Sequence, residues 1–270
     1  MAKWPNSAGP EKPTTSASKG AASVDVFARQ VIEVVATRQS GGERLVDTTL
    51  LKRFCDQLIA RDQKKHLAFV DHLLASGLRR EEICDLYVPA AARVLGDQWC
   101  EDQTSFADVT IGSARLQNLL RSIAPEWQVG WSPAPNAPSV LMYVRQDEFH
   151  TLGAMVAAGQ MRRLGYDVTL HIGYEVHETL QVLLEEPFDI VMISASSSER
   201  LESLRKLIVN MRNAADVNMP IAIGGSILLT HDDLKTLTGA DYAEADPRRV
   251  LRSCGMILPH MASDPTEIET

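Results

Sequence analysis

One segment of the 270-residue chain sets an acid, an imidazole and a glycine at fixed spacing: Glu148-Phe149-His150-Thr151-Leu152-Gly153. A neutral imidazole is a good transition-metal ligand, and a carboxylate bonded to its other ring nitrogen fixes the tautomer and increases its donor strength. Gly153 leaves out a side chain where a helix start would have to approach a bulky ligand. Two other segments offer different chemistry. Ser194, Ser196 and Ser198 stand at alternate positions and present hydroxyls, while Gly224-Gly225-Ser226 lets backbone pass close to a ligand. Taken singly these signals are weak. A serine-rich loop is ordinarily polar surface, Gly-Gly is ordinarily a tight turn, and an acid-x-His-x-x-Gly string arises by chance in roughly one chain in twenty of this length. The remaining histidines, His66, His72, His171, His177, His231 and His260, have no ligand-like spacing and are expected to be solvated or satisfied.

The weight of the three segments depends on the elements that carry them. From Val24 to about Ile123 apolar residues recur every three or four positions: Phe27, Val31, Val35; Leu50, Phe54, Leu58; Leu67, Val70, Leu74; Phe106, Val109, Leu116, Leu120. This is helical periodicity, with breaks expected at Ser40-Gly41-Gly42, Ser76-Gly77 and Gly96, and with Thr104 as a cap. A bundle of four or five helices follows, the first near Val24 to Thr37. Residues 124 to 138 hold Pro125, Pro133, Pro135 and Pro138 with Gly130 and Asn136, a connector composition. Beyond it, short apolar runs (Ser139 to Tyr143, Val168 to His171, Ile190 to Ile193, Ile221 to Ile223, and a weak one at Asp241 to Ala243) alternate with amphipathic stretches. Those stretches are Leu152 to Leu164, His177 to Glu185, Arg200 to Met211, His231 to Thr236 and Pro247 to Ser253.

Five strands alternating with five helices predict an α/β fold, a doubly wound five-stranded parallel sheet behind the helical bundle. The expected plan is a flexible tail over 1–20, helices over 21–125, a linker over 126–138, the α/β domain over 139–258 and a second tail over 259–270. Ligands of such sheets gather outside the carboxyl ends of the strands, where strand order reverses. The three segments above fall on those loops, after the first, third and fourth strands.

Composition excludes several classes. A net charge of -8, from 27 basic and 35 acidic residues, argues against coating DNA or anionic lipid through bulk charge. Neither an eighteen-residue apolar run nor a secretion signal is seen, so the expected site of action is the cytoplasm, without a membrane role. Cys55, Cys84, Cys100 and Cys254 lie far apart and read as reduced thiols rather than a disulfide framework or zinc site. With no basic helix-turn-helix signature, DNA would be reached at most through a partner.

Glu148-x-His150-x-x-Gly153 resembles the Asp-x-His-x-x-Gly motif of cobalamin-binding domains, with Glu where that family usually has Asp and with Asp147 beside it. The resemblance implies cobalamin, as adenosylcobalamin or hydroxocobalamin, with His150 as lower axial ligand of cobalt. It implies a slot for the nucleotide tail, lined by Ser194, Ser196, Ser198, Gly224, Gly225 and Ser226, and contributions from Phe149, Thr151 and Leu152. Leu95-Gly96-Asp97-Gln98-Trp99 resembles the Leu-Gly-x-x-Trp segment of the helical domains that cap the upper corrin face; a core role for Trp99 is the plain alternative. Light-sensing members carry a Glu-His pair ten and eleven residues after this Trp, where this chain has Val109 and Thr110. Trp127 and Trp131 in the connector suit a staple between the two halves. Over roughly residues 45 to 255 the chain is similar to the AerR/PpaA group of purple photosynthetic bacteria, cobalamin-binding antirepressors. That resemblance implies a non-enzymatic, light-responsive regulator of photosystem genes acting on a repressor of the CrtJ/PpsR type. A corrinoid carrier for methyl transfer and a haem-binding sensor are the alternatives; a mutase role would need a barrel from another subunit.

Overall fold

The computed structural model describes residues 46–62, 64–124, 126, 131–146, 148, 151–196, 200–215 and 218–258. The expected tails, the helix near Val24 to Thr37 and the break at Ser40-Gly41-Gly42 lie outside the described residues.

The helical half begins with α1 (Thr48–Ile59), whose first turn is capped by the Asp47 carboxylate accepting from the Thr49 and Leu50 amides at 2.8 and 2.9 Å. Its carboxyl end is covered by the buried Arg115 guanidinium, which donates to the Leu58 and Ala60 carbonyls at 2.6 and 2.7 Å. Next comes α2 (Lys64–Ala75), ending at the expected Ser76-Gly77. The chain then winds without interruption through α3 (Arg80–Glu82), a π-helical turn (Ile83–Tyr87) and α4 (Val88–Cys100), before α5 (Phe106–Ile123).

Several local expectations are corrected. Gly96 does not break a helix: it is buried inside α4, in a region where α4 and α5 pack so closely that a Cβ on Gly112 would stand 2.6 Å from Leu95. The cap of α5 is Ser105, one residue after Thr104, and it accepts from the Asp108 amide at 3.1 Å. On α2 the buried set is His66, Phe69, Val70 and Leu73, leaving Leu67 exposed, because that set obeys the helical period equally well with a slightly rotated face. Phe106 is 60% exposed, at the first turn of α5, while Leu116 and Leu120 are in the core as expected.

The second half is the predicted α/β layer. Strands β1 (Ser139–Arg145), β2 (Asp167–Tyr174), β3 (Ile190–Ser194), β4 (Ile221–Gly224) and β5 (Tyr242–Ala243) form one parallel sheet in the order β2-β1-β3-β4-β5. Helices α6 (Leu152–Arg163), α7 (Val176–Glu185), α8 (Leu201–Ala214), α9 (Leu234–Thr238) and α10 (Pro247–Ser253) follow the strands in turn. Side-chain alternation splits the core. Leu141, Tyr143, Val191, Ile193, Ile221 and Ile223 pack with α7, α8 and α9, whereas Val140, Met142, Val144, Met192 and Ala222 pack with α6 and α10. Strand order reverses between β1 and β3.

The two halves share one hydrophobic core. Met155 and Val156 of α6 belong to the helical cluster of Phe54, Leu58, Leu95 and Leu116, with Leu152, Leu170 and Ile172 packed against it. A charged cluster closes the same seam: Arg163, at the end of α6, bonds Asp85 of the π-helical turn at 2.5 Å and the buried Glu126 carboxylate. Burial pushes the Asp85 carboxyl above its ordinary value, against the pull of Arg163. For Arg163 burial acts downward, but the two carboxylates outweigh it and hold the guanidinium above its ordinary value.

Among the described residues no helix is long and apolar enough to cross a membrane.

Candidate functional site: a slot at the switch point

The slot opens where β1 and β3 part. Register sets its walls in levels. Met142, Met192 and Ala222 are mutual neighbours across β1, β3 and β4; two residues further along lie Val144, Ser194 and Gly224. Both levels point their side chains to the α6/α10 face. Opposite them, α6 presents Gly153, Ala154 and Ala157, and α10 presents Pro247 and Val250. Small residues on α6 hold helix and sheet apart by less side chain than a Leu or Ile would. The result is a cavity of about 720 Å³, counted to its open mouth, with Glu148, Ser196, Ser226 and Glu244 also on its wall.

The loops at the mouth are shaped by backbone. Register slips between Val144 and Arg145 at the end of β1, and the Glu148 amide then donates to the Arg145 carbonyl at 3.1 Å, turning the chain toward α6. On the other side Gly225 has φ +96°, and a Cβ there would stand 2.4 Å from the Ala195 carbonyl oxygen. The β3 and β4 loops therefore touch backbone to backbone. Two hydrogen bonds fasten them: the Ala195 amide donates to Gly224 at 3.0 Å, and the Ile227 amide donates to Ala195 at 3.2 Å.

The structure brings together seven residues singled out from the sequence: Glu148, Gly153, Ser194, Ser196, Gly224, Gly225 and Ser226. Phe149, His150 and Ser198, with Asp147 and Trp127, lie outside the described residues. Thr151 and Leu152 do not line the slot. The Thr151 hydroxyl accepts from Gln117 of α5 at 3.0 Å, and Leu152 packs on the helical core, so this loop is tied to the helices above it. Trp99 is half-buried at the end of α4 and leans on Phe106, ring centroids 6.0 Å apart and planes tilted by 56°. Phe106, Thr110, Ser113 and Gln117 follow one another along a single face of α5. The exposed Thr110 returns its hydroxyl to the Phe106 carbonyl at 2.8 Å. Trp131 stacks under Arg162 at 6.0 Å.

Sequence reasoning missed Met142, Met192, Ala222, Ala154, Ala157 and Glu244. A signal for them was present: two methionines within runs of branched residues, and the small-residue series Gly153, Ala154, Ala157, Ala158 where a helix facing a sheet usually carries larger groups. His171, His177 and His231 behave as expected. His171 is buried, shares a 3.2 Å bond with Thr179 and stacks on Tyr174 at 4.2 Å, and burial lowers its basicity. His177 pairs with Glu175 and His231 with Thr230. Burial pushes the Cys55 and Cys84 thiols up to about 12, so both are inert.

An apolar interior beneath a mouth of hydroxyls, carboxylates and glycine backbone fits an elongated ligand with an aromatic end and a polar stem. The nucleotide tail of a cobamide has that form. Fold and slot together define a two-part protein, a helical half joined to a parallel-sheet domain with a cleft at its switch point. Residues 138–250 match the model of the B12 binding domain. The chain is 30% identical over 187 residues, 69% of its length, to an uncharacterised 20.5 kDa protein of the bchF-crtJ intergenic region of Rhodobacter capsulatus, and covers 97% of that protein. The chain belongs to this B12-binding family, in the AerR/PpaA-type group that its sequence resembles. Among solved structures, the monomethylamine corrinoid protein of Methanosarcina barkeri superposes with a TM-score of 0.62 at 12% identity, over 78% of this chain and 100% of that one. A cobalamin-binding protein of Desulfitobacterium hafniense gives 0.40 at 16% identity, over 79% and 100%.

Proposed function

We propose that this protein is a light-responsive, cobalamin-dependent regulator that acts on a partner repressor of photosystem genes, of the CrtJ/PpsR type, rather than on a substrate. The observation that carries the cofactor half is the slot: Glu148 and Gly153 of the loop meet the Ser194–Ser196 and Gly224–Ser226 loops around one cavity. The regulatory half is supported by the kinship with a protein of the bchF-crtJ region and by the net charge of -8, which disfavours direct contact with DNA phosphates. An alkylcobalamin, when bound, supplies a photolabile cobalt–carbon bond. In this reading His150 would ligate the cobalt and Glu148 would keep its imidazole in the ligating tautomer. The serine hydroxyls bind the polar stem of the tail at the slot mouth, and Trp99 with Phe106 forms the surface whose packing changes with the upper ligand. Gln117, bonded to Thr151, couples that helical surface to the ligand loop.

The test is reconstitution with adenosylcobalamin in darkness and after illumination, followed by gel filtration and an absorption spectrum. Retention after light alone, lost in His150→Ala, is the expected result. Equal retention in dark and light would remove the light switch. Methyl transfer with a methyltransferase partner under reducing conditions would favour the carrier reading, and a Soret band in cell-grown protein would favour haem.

A further inference from the structure

We infer that the slot selects the lower base of the cobamide, taking a benzimidazole in preference to a purine. This rests on the cofactor reading above. The selectivity comes from the layering of the sheet. The upper level, with Ser194 and Gly224, is polar. One level down, about 6.6 Å deeper at two residues of strand rise, Met142, Met192 and Ala222 offer only thioethers and methyls. Ala157 of α6 and Val250 of α10, which share one buried cluster with these residues, line the same cavity with further methyls. The backbone of the sheet is committed to its own ladder. A base seated at this depth therefore meets no hydrogen-bonding side chain.

The consequence follows from the chemistry of the bases. The carbon edge of dimethylbenzimidazole, with its two methyls, contacts sulfur and methyl groups and leaves nothing unsatisfied. Adenine brings an amino group and extra ring nitrogens into the same layer, and each buried without a partner costs about tenfold or more in affinity. Methionine adds favourable sulfur–aromatic contact to either ring and so sharpens fit without altering the discrimination.

The measurement uses the full chain and three probes: hydroxocobalamin, its adenine-bearing counterpart, and cobinamide, which lacks the nucleotide. Each is titrated spectroscopically against the parent, Met192→Gln and Ala157→Leu. The readout is the ratio of benzimidazole to adenine affinities, compared between parent and Met192→Gln, since the differing ease of displacing each base from cobalt cancels in that comparison. The carboxamide of Met192→Gln gives adenine a partner and leaves the benzimidazole facing an unpaired polar group, so the ratio falls by about tenfold or more. Ala157→Leu fills the slot, so hydroxocobalamin binding weakens toward that of cobinamide, whose own affinity stays unchanged and reports an intact fold. An unchanged ratio in Met192→Gln, or a parent that binds cobinamide as well as hydroxocobalamin, overturns the base selectivity. A parent that binds none of the three overturns the cofactor reading itself.

Discussion

Replacing Gly225 by alanine tests the architecture of the slot mouth more sharply than any loop deletion. Two costs combine. The first is conformational: φ +96° with ψ -172° lies in a region essentially reserved for glycine, and forcing an L residue there costs about 1–3 kcal/mol. The second is steric. The new Cβ would meet the Ala195 carbonyl oxygen at 2.4 Å and the Ala195 nitrogen at 3.0 Å, both backbone atoms, so one loop must move. Moving it weakens the Ala195–Gly224 and Ile227–Ala195 hydrogen bonds, each worth about 0.5–1.5 kcal/mol. The expected loss is about 2–5 kcal/mol in urea unfolding, with weaker retention of hydroxocobalamin. Gly239→Ala is the control. Gly239 also has positive φ, at +82°, but a Cβ there would touch nothing within 4 Å, so only the conformational cost applies. If the two variants unfolded within about 0.5 kcal/mol of each other, close backbone contact between the β3 and β4 loops would not be what shapes the mouth.

Other substitutions probe the seam and the pH response. Arg163→Met leaves the Asp85 and Glu126 carboxylates buried without their cation, and should cost about 3–5 kcal/mol at neutral pH. That deficit should shrink on acidification, as Asp85, whose carboxyl burial holds above its ordinary value, neutralises; urea midpoints at two pH values would show it, and a pH-independent deficit would refute the charge account. His171 has a lowered pKa, so the unfolded chain binds its proton more readily than the folded one. Stability should therefore fall as the pH drops below the unfolded value of 6.5, and His171→Gln should flatten that slope. On the proposed reading, in which His150 would be the ligand and Glu148 its orienter, Glu148→Gln should weaken cofactor retention less than His150→Ala; equal losses would place Glu148 in another role.

The α/β layer was legible in the sequence because its central strands β1, β3 and β4 are buried on both faces and read as unbroken apolar runs, and because each helix between them carries its own stripe. Pro247 at the start of α10 and the Ser76-Gly77 stop were visible for the same local reasons. What escaped depends on distant partners. The π-helical turn at Ile83–Tyr87 has no local signature: its reward is the placement of Asp85 beside Arg163, 78 residues away in sequence. Gly96 looked like a stop, yet it is buried in the body of α4. In the site, polar and glycine residues announced the mouth, whereas Met142, Met192 and Ala157 read as ordinary core, since apolar side chains facing a void and those facing a neighbour are alike in one dimension.

The shared core also bears on how the chain is made. A ribosome delivers the helices first, but their cluster is completed by Met155 and Val156 and flanked by Leu170 and Ile172, which emerge only after the connector and β1. Until then the nascent helical half exposes the apolar seam that α6 later covers. Vectorial synthesis is thereby coupled to construction of the sheet, and a fragment ending at Ile123 would be expected to need a chaperone, or the rest of the chain supplied in trans, to stay in solution.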